Sequence, residues 1–413
     1  MTAPCDFESF PVIDCVGNSP SEIGHSHGLQ LSNRISANLE FYFRYFSKCG
    51  VAKQQALKWG EVIRREVHAH APAIAEEIEA IARGANRTAA ELFALNGRSE
   101  ILKLSSFNQS QSSTGSKQDD QHKVTVGECT AVYCADSGIL AQNWDWNSAI
   151  GNLPVLLRMC RLDKQRRILT MTEPGMVAKA GFNNRGVAVT LNMMFAKASE
   201  VEPYGLPVHV LLRMALESDS LLEAYAAIQN APHDTNAHIL LADPISQYRL
   251  LEFQGRSLEV VGADLRATDL GGDEEPIEGE EGPPPTPTLV AHTNHYLDQR
   301  FAAHSHQASF AMSKERYARV MDIVHAFEQD DAAMSKAGFE AHFKLVQSVL
   351  GDRHNLGPSP NGHPQHMAIL QDNPLCPTIC SLIMDLRSQI MYCTRGPALE
   401  QRYETVPLVP ANL

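Results

Sequence analysis

The sequence has no run of about eighteen consecutive apolar residues, the length a membrane-spanning helix needs, so no transmembrane helix is expected. Its start, MTAPCDFESF, lacks the basic stretch and apolar run of a secretory signal, and the cytosol, or an organelle lumen reached after folding, is the expected location. No basic stripe or polybasic cluster occurs, which argues against nucleic acid and anionic membrane as partners. Neither HExxH nor GxxxxGK[ST] is present, and no cofactor or metal is expected. The nine cysteines are odd in number and scattered, unlike a secreted disulfide framework. Cys376 and Cys380 lie close together, but no second close pair completes a zinc set.

What is present is a chain of 413 residues with 44% hydrophobic content, long enough for a large core. The net charge is −13, and six of the acids crowd into Asp273–Glu281. That acidic segment continues into PPPTP, and residues 269–288 read as a surface excursion rather than a central strand. The last three residues, Ala411-Asn412-Leu413, weakly resemble a peroxisomal SKL-type address, with Asn where a base is preferred.

Residues 19–104 read as helical. In APAIAEEIEAIARG, Pro72 suits a helix start, Ile74, Ile78 and Ile81 share a face, and Gly84 is a stop. Thr88 and Glu91 form a capping box before AAELFALN. The polar stretch 105–123 holds too little apolar surface to order itself and is expected to be a mobile linker.

From Cys129 the pattern changes to strands. TAVYC and ILAQNWDW flank an Asp136-Ser137-Gly138 turn, LPVLLRMCRL pairs with RRILTMTEP, and VAKAGFN and VAVTLNM flank Asn184-Arg185-Gly186. Two helices between Pro207 and Ala231, further strands, two helices around 312–350 and a closing strand pair complete an α+β plan of antiparallel sheets flanked by helices.

Cys129 stands where the polar linker meets the first strand. Most free cysteines are small buried hydrophobes. This one has the layout of a nucleophile made by cutting the chain in front of it. A thiol has a pKa of about 8.5 and needs a base near neutral pH. An α-amine, with a pKa of about 7.7–8.0, is suitable once the Glu128–Cys129 bond is broken. Asn143 and Asp145 sit at alternate positions on the next strand and so share a face, and Asp145 is placed to orient that amine. Asn192 and Asn294, each at a strand end, are candidate donors to a tetrahedral oxyanion, where losing one donor costs roughly 3–4 kcal/mol.

These residues and several segments in the same order give a resemblance. They are SEIGHSHG, IARGANRTAAELFALNGRSE, CTAVYC with QNWDW, EPGMVAKAGFNNRGVAVTLNMM, GLPVHVLLRMALES, VAHTNH and TICSLIMDL. Together they resemble the acyl-coenzyme A:6-aminopenicillanic acid acyltransferase family of cysteine N-terminal-nucleophile (Ntn) hydrolases. The resemblance implies an αββα sandwich of two antiparallel sheets between helical layers. It implies Cys129 as nucleophile and first residue of a β-fragment 129–413, associated with an α-fragment 1–128. Asp145 matches the family's catalytic Asp, Asn294 its oxyanion Asn, and Asn192 more loosely a second one. Expected partners are a small-molecule acyl donor, with acyl-CoA as co-substrate, and the amine of a small peptide-derived metabolite. Amide hydrolysis of N-acyl amino acids, or a non-catalytic binding role for an uncleaved chain, are the alternatives. Two features depart from the penicillin enzymes of that family. Glu128 rather than Gly precedes the cysteine, and Leu375-Cys376-Pro377-Thr378 carries no cation where those enzymes have an Arg.

Overall fold

A computed structural model describes residues 9–112, 129–194, 196, 203–264, 289–305, 311–330, 338–352, 355–358, 364–366, 377–396 and 403–410. Glu128, the acidic segment 269–288, Leu375, Cys376 and the C-terminal tripeptide lie outside these.

The chain opens with strand β1 (Val12–Gly17), which the sequence reading missed. Helices α1 (Pro20–Gln30), α2 (Ser32–Lys48), α3 (Lys53–His70), α4 (Pro72–Gly84), α5 (Ala89–Asn96) and α6 (Arg98–Ser112) follow. Local chemistry sets their starts. The Ser19 side chain accepts from the Glu22 N–H at the head of α1, and the Thr88–Glu91 capping box closes both ways at α5. Helix α6 runs to Ser112, so the first part of the expected 105–123 linker is helical, and the remainder lies outside the described residues. In the N-terminal half of α6, Ile101, Leu104 and Ser105 are buried and Leu102 and Lys103 half-buried. That packing anchors a helix whose later, polar residues gave no sign of it.

Strands β2 (Cys129–Cys134), β3 (Ile139–Asp145), β4 (Val155–Arg161), β5 (Arg166–Thr172), β6 (Ala180–Asn183) and β7 (Ala188–Met193) come next. Gly138 and Gly186 take positive φ at the two expected turns. Helices α7 (Val208–Leu216) and α8 (Leu221–Gln229) precede β8 (Thr235–Ala242), β9 (Tyr248–Gly255), β10 (Ser257–Asp264) and β11 (Val290–His292). Then come α9 (Gln299–Ala302), α10 (Ala311–Glu328), α11 (Phe339–Leu350), the short pair β12 (Asn355–Pro358) and β13 (Pro364–His366), and β14 (Thr378–Asp385), β15 (Ile390–Arg395) and β16 (Glu404–Pro407).

Two sheets form the centre: β1-β4-β5-β6-β7-β8-β9-β10 and β11-β2-β3-β14-β15-β16. All described pairings in them are antiparallel except β1 with β4, which is parallel. The larger sheet is therefore mixed, and the segment before Cys129 is not wholly helical. Alternation along β2 and β3 divides two cores. Val132, Cys134, Ile139 and Ala141 pack with Val320 and Val324 of α10 and Val346 and Val349 of α11. Ala131, Tyr133, Leu140 and Trp144 turn to the other side and join the core shared with the larger sheet. Helix α7 covers β6, β7 and β8 from outside. This is the expected αββα sandwich. No described helix is long and apolar enough to cross a membrane.

Helix α1 lies directly on α4. A Cβ on Gly28 would stand 2.2 Å from the Ile81 carbonyl oxygen, so only glycine permits this approach. The contact seats His27, fully buried, with Nε2 accepting from the Gly175 N–H at 3.0 Å. Burial, helped by Arg213, pushes the His27 imidazole down to about 3. The fold thus holds the neutral ring. Its stabilising share is complete above the ordinary value of 6.5 and is lost as pH falls toward 3. Replacing it by Gln, whose amide oxygen can accept the same bond without titrating, is expected to flatten the acid limb. Between pH 7 and 5 the wild type should lose about 2 kcal/mol more than His27→Gln, read from urea unfolding. Equal losses would remove His27 as the cause.

Candidate active site

Cys129 is the first residue of β2 and is buried, with β3 on one side and β11 on the other. Its backbone pairs with Trp144 of β3. On the other side, β11 pairs as far as His292 with Ala131. Continuing that register places Asn294 opposite Cys129, and the side chain replaces the ladder there. The Cys129 N–H donates to Asn294 Oδ1 at 2.6 Å.

Two further side chains, Arg316 and Asn192, hold the carbonyl of this residue and brace what surrounds it. Arg316 of α10 donates through Nη1 to the Cys129 carbonyl oxygen (2.8 Å) and to Thr130 Oγ1 (2.8 Å), and through Nη2 to Asn294 Oδ1 (2.9 Å). Asn192, on β7 of the facing sheet, donates through Nδ2 to the Cys129 carbonyl (3.2 Å) and the His292 carbonyl (3.1 Å). The orientation of Asn294 follows from its neighbours. Arg316 can only donate, so the atom facing it is oxygen. Nδ2 then donates to the Met193 carbonyl at 2.8 Å, and the Asn294 N–H donates to Ser313 Oγ at 2.7 Å. The turn carrying Asn294 is anchored by buried Glu252, which accepts the Leu297 N–H at 2.6 Å and the Asp298 N–H at 3.0 Å and lies 2.7 Å from His292 Nε2.

Asp145 ends β3 and accepts from Thr378 Oγ1 at 2.7 Å. Gln142 and Trp144, rather than Asn143, share the face of the Cys129 side chain. Asn143 instead bonds the Leu350 carbonyl (2.9 Å) and Ser381 Oγ (2.5 Å), toward the helical layer. Burial pushes the Cys129 thiol up to about 11, and the Asp145 carboxylate adds to this. Lys179, Arg316 and the Asp145 backbone N–H act the other way without overcoming it. In the uncut chain the thiol is therefore protonated near neutral pH.

The structure brings Cys129, Asp145, Asn192 and Asn294 together. It also adds two cations that sequence reasoning missed. Arg316 lies in SKERYARV, where surrounding charges make it read as a solvated helix face. It is fully buried, so a cation stands against Cys129 although Leu375–Thr378 offers none. Lys179 was legible in principle as the lone charge in the apolar run MVAKAGF.

A model of the family described as acyl-coenzyme A:6-aminopenicillanic acid acyl-transferase matches residues 134–350. The chain belongs to that family. The matched span holds Asp145, Lys179, Asn192, Asn294 and Arg316 and begins just after Cys129. The chain is thus an enzyme of an acyltransferase family. It is 28% identical over 331 residues to the 40 kDa form of acyl-coenzyme A:6-aminopenicillanic-acid-acyltransferase of Emericella nidulans, covering 78% of this chain and 80% of that protein. Among solved structures it is similar to a mutant of conjugated bile acid hydrolase from Clostridium perfringens, at 13% identity and TM-score 0.40, over 68% of this chain and 92% of that one. It is also similar to penicillin V acylase from Agrobacterium tumefaciens, at 11% identity and TM-score 0.36, over 67% and 84%.

Asn294→Ala removes one acceptor and one donor from a buried network, leaving the Cys129 N–H and the Met193 carbonyl unmet. A loss of about 2–3 kcal/mol in denaturant unfolding is expected. A loss below about 0.5 kcal/mol would mean that water replaces the amide.

Proposed function

We propose that this protein is a self-processing cysteine acyltransferase that moves an acyl group from an acyl-CoA thioester to the amine of a small peptide-derived metabolite. The observation that carries this reading is the hold on the Cys129 nitrogen by an amide oxygen, Asn294 Oδ1, at 2.6 Å. A free α-amine at the same point would keep this acceptor, with its lone pair left for the adjacent thiol.

In processing, Cys129 Sγ attacks the Glu128 carbonyl carbon, and the C–N bond gives way to a thioester. Water then hydrolyses the thioester, giving a Glu128 carboxylate and a free Cys129 amine and thiol. In turnover, the α-amine takes the thiol proton as Sγ attacks the acyl-CoA carbonyl. The tetrahedral intermediate collapses, and CoA leaves with that proton. An acceptor amine attacks the acyl-enzyme in turn, loses its proton to the α-amine, and departs as an amide while the thiol is restored.

Asn192, a donor reaching the Cys129 carbonyl from the facing sheet, is the proposed oxyanion donor. The oxygen-inward orientation of Asn294 favours holding the amine over the oxyanion role expected from the sequence. Asp145, whose field bears on Cys129, would favour the ammonium form after proton uptake.

The chain should run on a denaturing gel as two fragments, 1–128 and 129–413, the larger starting at Cys129. Cys129→Ala should remain one chain and lose activity by roughly a thousandfold or more, read as CoA release from acyl-CoA with an amine present. A single intact band from fully active wild type would overturn the mechanism, because no α-amine would exist. If CoA release proceeds but no acceptor among amino acids and small peptides diverts the acyl group from water, the enzyme is a hydrolase.

A further inference from the structure

Behind the candidate nucleophile lies a buried ionic cluster that the proposed chemistry does not use. Lys179, fully buried just before β6, places Nζ 3.2 Å from the centre of the Trp144 ring and 2.9 Å from Glu173 Oε1. Trp144 stands directly opposite both Cys129 on β2 and Cys380 on β14. The Lys179 charge acts on both thiols.

Glu173 is held in turn from the segment before Cys129. Tyr42 of α2 donates its hydroxyl to Oε2 at 2.5 Å, and Arg98 of α6 lies 3.0 Å from Oε1 with its guanidinium over the Trp146 ring at 4.6 Å. Burial alone would raise the Glu173 carboxyl, but Arg98, Lys179 and Tyr42 bring it down to about 2, so it is an anion. His209 of α7 also faces the cluster; burial keeps it neutral, and its Nδ1 donates to the Ala178 carbonyl at 3.0 Å.

The turn that carries the cluster is pinned from the same side. Asn38 donates to the Pro174 carbonyl (2.9 Å), Asn96 donates to the Gly175 carbonyl (2.9 Å) and accepts from the Val177 N–H (3.0 Å), and His27 accepts from Gly175.

We propose that Lys179 is a positioning residue for the acyl-transfer reaction, holding positive charge against Trp144 so as to favour the Cys129 thiolate, and that the segment before Cys129 sets this charge through Tyr42, Arg98 and Glu173. This rests on the reading of Cys129 as nucleophile. Burial pushes the Lys179 ammonium down to about 7, so its charge depends on its neighbours. Glu173 and the Trp144 ring face favour the charged form, and Arg98 opposes it. A Cys129 thiolate favours it too, and the coupling is mutual.

Alkylation by iodoacetamide, followed at the Cys129 peptide by mass spectrometry across pH, reads the thiolate directly. Lys179→Met should raise the midpoint by about one pH unit and slow alkylation about tenfold at pH 7.5, whereas Lys179→Arg should stay within about threefold of wild type. A folded Lys179→Met protein with the wild-type midpoint would overturn the proposal.

A second measurement needs no change at Lys179 in the proteins compared. In protein labelled at the lysine ε-carbon, with the Lys179 signal assigned by its absence in Lys179→Arg, titration should lie higher in wild type than in Cys129→Ser. Coincident titrations would also overturn it. Neither readout needs turnover. An active Cys129→Ala protein would defeat the nucleophile reading and leave the charge coupling to be judged by these two results alone.

Discussion

The hydrogen bond from the Cys129 N–H to Asn294 Oδ1 is the contact on which the site depends. The β11 ladder ends at His292, so this N–H would otherwise be an orphaned buried donor, at a cost of about 1–3 kcal/mol. The side chain that meets the need is itself fixed at both ends, by Arg316 at its oxygen and the Met193 carbonyl at its nitrogen. Arg316 and Asn192 then converge on the carbonyl of the same residue. Both polar groups of Cys129's backbone are thus held by side chains from β7, the turn after β11, and α10. A thiol that had to sit at one point relative to a neighbouring amine would need this control of its own backbone.

The second constraint is electrostatic. A fully buried thiol is held protonated by desolvation, and Asp145 deepens the effect. Two buried cations, Lys179 and Arg316, oppose it. Each cation has an anion or amide oxygen to satisfy it: Glu173 for Lys179, and Asn294 Oδ1 with the Cys129 carbonyl for Arg316. That arrangement stores positive potential near sulfur without leaving an unpaired charge, and the desolvated surroundings strengthen it.

Much of the framework was legible because it is local. The Asp136-Ser137-Gly138 and Asn184-Arg185-Gly186 turns, the Thr88–Glu91 cap and the face shared by Ile74, Ile78 and Ile81 each follow from residues a few positions apart. Strand β1 was not legible. VIDCVG is short, its burial is partial, and its parallel partner β4 is more than a hundred residues away, so nothing nearby marks it. At the site, Cys129, Asp145, Asn192 and Asn294 could be found from their types and positions. Which end of Asn294 meets Cys129 could not, because an amide can donate or accept and the choice is made by Arg316, a residue that a helical pattern assigns to solvent.

The same long-range contacts bear on what a cut before Cys129 would do. Strand β1 completes one edge of the large sheet through β4, and Asp14 pairs with Arg158 there at 2.5 and 2.9 Å. Arg98, Tyr42, Asn38, Asn96 and His27 reach the turn at 173–177 from the other side of that bond. Releasing the N-terminal segment would strip a strand from the sheet, expose the apolar faces of α2 to α5, and leave Glu173 and Lys179 a buried pair missing Tyr42 and Arg98. A single peptide bond contributes nothing to those contacts. Cleavage would therefore change the chemistry at Cys129 while the packing that positions it persists.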